Sequence, residues 1–312
     1  MCMAKKTSIG GQALLEGIMM RGPEKTAMAV RNPEGEIVLE EYATQGKDRA
    51  KICKKPFIRG IFNMYDSLSF GYKCLMRSAE ISGLDAEEEK KKAEKKPSKM
   101  NDVFEKILMP LSVVLALVLC IGLFVYLPVQ IYSWLAMLLP GIEQLYILRS
   151  IVEGIVKILI FVGYVWITSK MKDIHRTYCY HGAEHKTIFC YEAGLPLTVE
   201  NVRKQKRFHP RCGTSFLVLM LIVGIVIGIF IRIDNRLLRM AVRLLLFPVI
   251  ISIGYELIRL AGRKDNWFTR LISKPGMALQ HITTQEPDDS MIECAIAAME
   301  KVIPEDKTKD NW

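Results

Sequence analysis

Four apolar runs lie between residues 107 and 260, at about 107–127, 147–168, 216–231 and 240–260. Each is long and apolar enough to be read as a membrane-crossing helix. Inside a bilayer no water is available to satisfy backbone N–H and C=O groups, so a spanning segment must form its hydrogen bonds internally. These runs predict a mainly α fold, a polytopic membrane helix bundle of about four spans. The apolar residues are half of the chain, and they cluster in these runs rather than spreading through a soluble core. No apolar secretory leader precedes them: MCMAKKTSIGGQALLEG has no continuous hydrophobic stretch.

The remaining chain divides around the spans. Residues 1–84 read as a soluble α+β region and 85–105 as a charged linker, DAEEEKKKAEKKPSK at its heart. Residues 106–262 form the transmembrane region with a polar loop at 170–215. Residues 263–312 form a small helical C-terminal part. In the first region Gly10, Gly11, Gly17 and Gly22 imply tight backbone. Asn32-Pro33-Glu34-Gly35 is a turn signal between two β-prone runs, 27–30 and 36–42, and predicts a β-hairpin. Ile58, Ile61, Phe62, Tyr65, Leu68 and Tyr72 recur at helical spacing and predict an amphipathic helix on the hairpin or the membrane surface. Near the end, Ser290–Val302 reads as a helix behind acidic caps, with Ile292, Ile296 and Met299 inward. Pro128 and Pro140 bracket a piece, 129–139, too short to cross alone.

Basic residues set the orientation. Lysines crowd ahead of the first span, nine Lys and Arg residues fall between 170 and 211, and Arg259, Arg263, Lys264 and Arg270 follow the last span. The loop after the first span has few. Both termini and the 170–215 loop are therefore expected in the cytosol of a multi-pass inner-membrane protein. Arg232, Arg236, Arg239 and Arg243 depart from this rule, since they fall near the outer side. The net charge of +10 fits this topology and attraction to anionic lipid. It also leaves room for a ribosome or membrane-protein partner, with no motif for specific nucleic-acid binding. Within the second span Arg149, Glu153 and Lys157 stand at i, i+4, i+8, a stripe that must face protein or water and pair. A transport path there lacks the paired broken helices such proteins use.

The chemistry concentrates at His181-Gly182-Ala183-Glu184-His185 in the basic loop. Residues i and i+4 share a helix face, so both imidazoles can reach one cation. The order H-x-x-E-H is the reversed form of a zinc-hydrolase signature. A catalytic zinc needs three protein ligands and one open position, and Glu184 is placed to serve as the base. Candidates for the third ligand are Glu256, near the cytosolic mouth of the last span, together with Glu192, His209, Cys212 and Cys190. A fourth donor from His209 or Cys212 would make the site structural. The eight cysteines form no C-x-x-C pair and suit a reducing compartment.

Five segments together resemble the YqhQ-like family of bacterial membrane proteins: GGQALLEGIMMRGP (10–23), HGAEHKT (181–187), LTVENVR (197–203), FHPRCGTSF (208–216) and TTQEP (283–287). The resemblance runs over nearly the whole chain. It implies a bacterial inner-membrane location and a family described as predicted metal-dependent enzymes. The matching positions are His181, Glu184, His185, His209 and Cys212. Two functions follow as expectations. One is a membrane-bound zinc hydrolase, with peptide or amide bonds as substrate by analogy alone. The other is a non-catalytic assembly factor or scaffold with a structural metal or none.

Overall fold

The computed structural model describes residues 6–44, 49–84, 111–112, 114–139, 141–142, 145–264 and 266–310. The charged linker and the start of the first apolar run lie outside them. The chain divides into two compact units, one of residues 1–86, 165–219 and 251–312, the other of 87–164 and 220–250.

The first unit is built on an antiparallel sheet in the order β1 (Gly10–Leu14), β2 (Gly17–Arg21), β3 (Lys25–Arg31), β4 (Ile37–Ala43). The predicted hairpin is β3–β4, in register from Lys25–Ala43 to Arg31–Ile37 around Gly35 at φ +89°. The glycine-rich stretch, read from sequence only as tight backbone, supplies two further strands. Leu14 pairs with Gly17 across a two-residue turn, and Gly17 packs so closely on β3 that a Cβ would meet the Ala29 carbonyl oxygen at 2.4 Å.

Strand periodicity sorts the sheet's side chains onto two faces. Leu14, Met19, Met28 and Val30 pack with Phe70 and Cys74 of α1 (Arg59–Ile81). Ile18, Met20, Ala27 and Ala29 pack against later helices of the unit. Helix α1 forms where its spacing predicts, but the opposite face does the packing. Gly60, Asp66, Phe70, Gly71, Cys74, Ser78 and Ala79 are buried, while Tyr65, Leu68 and Tyr72 are more than 60% exposed. Phe70 fills the space against the sheet, and Gly71 lets the helix lie close to Gln12 of β1.

The apolar runs differ from the expectation of four spans. Two helices are long and apolar enough to cross a membrane: α2 (Val114–Leu138) and α3 (Tyr146–Thr168). The short piece 129–139 is the second half of α2, not a separate segment. Pro128 is accommodated by a widened π-helical stretch, Gly122–Tyr126, in which the Leu127 N–H reaches the Gly122 carbonyl. That widening relieves the clash a proline ring makes with the preceding turn.

The basic loop forms α4 (Lys172–Glu192) and α5 (Val199–Arg203). The third run becomes α6 (Gly213–Ile229), at 17 residues shorter than a usual span. The fourth is broken. Helices α7 (Arg236–Leu245) and α8 (Phe247–Arg263) meet at a 43° bend, with Pro248 in the first turn after the break. Counting that pair as one span gives three candidates. Helices α9 (Trp267–Thr283) and α10 (Asp289–Val302) complete the first unit. The Asp288 side chain caps α10 by accepting from the Met291 N–H at 2.9 Å. Met291, Ile292, Cys294, Ala295, Ala298, Met299 and Val302 are buried with α4 and the sheet.

Candidate metal centre

Helix α4 carries His181, Glu184 and His185, all within the first unit. Gly182 explains how the helix lies so close to the chain after α9. A Cβ at Gly182 would stand 2.0 Å from the Gln285 carbonyl oxygen. The same approach lets the Gln285 N–H donate to the Tyr178 carbonyl at 2.9 Å. It also brings the Thr283 carbonyl to His181 Nδ1 at 2.8 Å.

Each imidazole is therefore oriented from behind. His181 Nδ1 donates to Thr283 O, and His185 Nδ1 lies 2.6 Å from Arg207 O. A carbonyl oxygen can only accept, so both Nδ1 atoms carry a proton, and the Nε2 atoms are the ones left to meet a metal ion. His181 Nε2 faces the Cys212 sulfur at 3.1 Å. One donor atom each from His181, His185 and Cys212 lies within 4.8 Å of the others. Cys212 comes from the loop before α6. That loop is fixed by Gln280 of α9, which accepts from the His209 N–H at 2.8 Å and donates to His209 O and Ser215 Oγ.

The electrostatics match the geometry. Burial alone would push the Cys212 thiol up, but His181 and His185 outweigh it and hold the group well below its ordinary value. Burial would lower His181; the facing Cys212 sulfur reverses that and raises it to about 9. Glu184 is buried, and burial pushes its carboxyl up, against the pull of both imidazoles and of a hydrogen bond from the Gly11 N–H. Gly11 stands so close that a Cβ there would lie 2.9 Å from the Glu184 carboxyl carbon. Glu184 is outside the three-residue group yet within electrostatic reach of all three members.

The other sequence candidates sit elsewhere. Glu256 accepts from Arg59 Nε at 2.8 Å and from the Phe57 N–H at 3.2 Å, a partner set with no imidazole in it. His209 is buried beside Phe189 and His185, and burial lowers it to about 4. Its Nδ1 accepts from the Arg211 N–H at 3.3 Å, and its Nε2 points to Glu192 at 3.9 Å. Glu192 forms a buried ion pair with Arg211 and accepts from the Thr7 N–H. The Cys190 thiol donates to the Pro196 carbonyl. Sequence reasoning missed Thr283, Arg207, Gln280 and Gly11, which act through backbone groups or one amide. Gly11 and Thr283 lie within the GGQALLEG and TTQEP segments, whereas Arg207 and Gln280 lie just outside FHPRCGTSF and TTQEP.

A model of the family described as a protein of unknown function, DUF1385, matches residues 55–305. The chain belongs to this family. It is 35% identical over 298 residues to the uncharacterized protein YqhQ of Bacillus subtilis (strain 168), covering 94% of this chain and 92% of the relative. No solved structure matches.

The donor set suits a metal ion. The donor atoms of His181, His185 and Cys212 all lie within 4.8 Å of one another, close enough to hold a metal ion.

Proposed function

We propose that this chain is a membrane-bound, metal-dependent hydrolase whose centre is held by His181, His185 and Cys212, with Glu184 as the general base. Cys212 takes the place that Glu256 held among the sequence candidates. The observation that carries the reading is the grouping of a donor atom each from His181, His185 and Cys212 within 4.8 Å of one another, with His181 Nε2 at 3.1 Å from the sulfur and each ring held by a backbone carbonyl. Zinc bound there would supply Lewis-acid polarisation and a water acidic near pH 7. Glu184, whose carboxyl is raised by burial, would take a proton from the attacking water and return it to the leaving amine. The Gly11 N–H holds that carboxyl in place. Peptide and amide bonds are the substrate class we assign, by analogy with the order of the motif. The apolar helices α2, α3 and the α7–α8 pair support a multi-pass inner-membrane location, and the basic 170–215 loop supports a cytosolic face for the site.

Burial of His185 and Cys212 favours a second reading, a closed structural metal in an assembly factor. One experiment separates the two. The full chain is purified from membranes, its metal content is measured, and peptide libraries are digested with the wild type and with Glu184→Gln. The hydrolase reading expects about one zinc per chain in both proteins and cleavage in the wild type alone. Zinc in both with identical digests, or none in either, overturns it. Cys212→Ser is expected to lower zinc occupancy.

A further inference from the structure

In the second unit Glu153 of α3 is 1% exposed and gathers cations from α7. Arg243 Nη1 donates to Glu153 Oε2 at 2.5 Å, and Arg239 Nη2 stands 4.0 Å from Oε1. Lys157, one turn further along α3, is within electrostatic reach of Glu153, Arg239 and Arg243. One turn the other way, Arg149 has its Nη2 buried without a hydrogen-bond partner. Its acid, Asp234, is 3.9 Å away with a mostly exposed side chain. Within the stripe, Glu153 draws its partners from α7, Arg149 stands by Asp234 just before that helix, and Lys157 is attracted by Glu153 itself. Among the described residues, four cations (Arg149, Lys157, Arg239, Arg243) face two carboxylates (Glu153, Asp234), an excess of two positive charges.

The surroundings make that excess expensive. Leu237, Leu238, Leu244 and Leu245 of α7 are all more than half exposed, while Arg239 on its other face is 3% exposed. Helix α7 is amphipathic with Arg239 and Arg243 turned inward and these leucines outward, the orientation of a helix whose outer face meets lipid. Charge held at such depth needs a counter-ion. Arginine forks pair with phosphate in two parallel hydrogen bonds, and basic pockets between membrane helices take headgroup phosphates.

We propose that Arg149, Lys157, Arg239 and Arg243 form a phosphate-binding site, with Glu153 holding the arginines apart and limiting their net charge. This explains why the chain tolerates arginines where the positive-inside rule disfavours them. The phosphate belongs either to an anionic phospholipid or to free inorganic phosphate. The site is independent of the metal centre and rests on these helices being embedded in a membrane.

The test uses the full chain in detergent and in nanodiscs. Native mass spectrometry measures phosphatidylglycerol retained against phosphatidylcholine, and thermal shift measures the response to inorganic phosphate. Arg149→Gln removes a guanidinium whose contacts are a long 3.9 Å pair with Asp234 and the Tyr146 ring at 5.0 Å, so the fold should persist. Lys157→Gln is the second variant, and Arg232→Gln, an exposed arginine, is the charge-matched control. The proposal expects the wild type to prefer phosphatidylglycerol about tenfold or to be stabilised by phosphate. The first outcome assigns a lipid headgroup and the second a free anion. Arg149→Gln and Lys157→Gln should each lose most of that effect, with Arg232→Gln within twofold of wild type. No preference for either ligand, or equal losses in all three variants, overturns the site. Alkaline carbonate extraction that strips the wild-type chain from membranes overturns the membrane reading as well. A chain that resists extraction yet binds neither ligand removes this inference alone.

Discussion

Replacing Gly182 with alanine tests the metal centre at its tightest constraint. The added methyl would stand 2.0 Å from the Gln285 carbonyl oxygen, against an ordinary contact of 3.4 Å or more. Helix α4 and the chain at 283–285 must therefore separate by more than an ångström. Neither side can give cheaply, because the obstacle is backbone and the Gln285 N–H is bonded to Tyr178. The His181 Nδ1 to Thr283 bond, now 2.8 Å, then lengthens past hydrogen-bond range. Overpacking of this kind costs about 1–3 kcal/mol of stability. Loss of the group that orients a ligand imidazole costs about 10- to 100-fold in metal affinity. Competition with a chromophoric zinc chelator measures the second quantity, and thermal unfolding of the metal-free chain the first. Gly10→Ala, whose methyl meets nothing within 4 Å, is the control and should bind zinc like the wild type. Wild-type zinc affinity in Gly182→Ala, within twofold, refutes the claim that this backbone approach positions His181.

Three further outcomes follow from the same unit. Arg211→Met strands Glu192 in a buried site, so unfolding should become easier by about 3–5 kcal/mol; a midpoint shift under 1 kcal/mol in urea refutes the pairing. Burial depresses His209 to about 4, so the unfolded chain, titrating near 6.5, binds more protons between those values. Its contribution is complete above about pH 6.5 and is lost as pH falls toward 4, and the melting temperature of His209→Gln should change less over that window than that of the wild type. Asp310 is fully buried and accepts from Thr7 Oγ1, the Ser8 N–H and the Tyr191 hydroxyl. Asp310→Ala leaves those donors unpaired at a cost of about 3 kcal/mol and should open the N-terminal segment to limited proteolysis.

Local signals in the sequence located elements better than they located faces or breaks. The Asn32–Gly35 turn gives β3–β4 because its residues favour the required backbone. The periodicity of 57–80 gives α1. Which face meets the sheet stays open at that level, because an apolar stripe suits a hairpin or a membrane surface equally. Tyr65, Leu68 and Tyr72 are exposed, while Phe70 and Cys74 on the other face pack on the sheet. Hydropathy alone also merges or splits spans wrongly. It cannot register that the π-helical stretch before Pro128 lets α2 continue, whereas α7 and α8 bend at Pro248.

The site was legible to the extent that its chemistry lies in side chains at fixed spacing. His181 and His185 converge because one helical turn separates them, and Glu184 falls beside them for the same reason. The third donor was not legible, because it depends on a loop returning from 27 residues beyond His185. Cys212, Glu256 and His209 were all chemically admissible there. What decides among them is Gln280, which grips the loop at both the His209 backbone groups and Ser215, so that Cys212 turns toward the imidazoles and His209 toward Arg211. The same amide gives the test of that ordering. Gln280→Leu keeps the volume but removes three buried hydrogen bonds, leaving His209 N–H and O unpaired. If Gln280 sets which donor faces the imidazoles, the variant should lose zinc occupancy about as far as Cys212→Ser does, while far-ultraviolet circular dichroism stays close to wild type. Full zinc occupancy in Gln280→Leu would mean the loop is placed by Cys212 and the metal themselves.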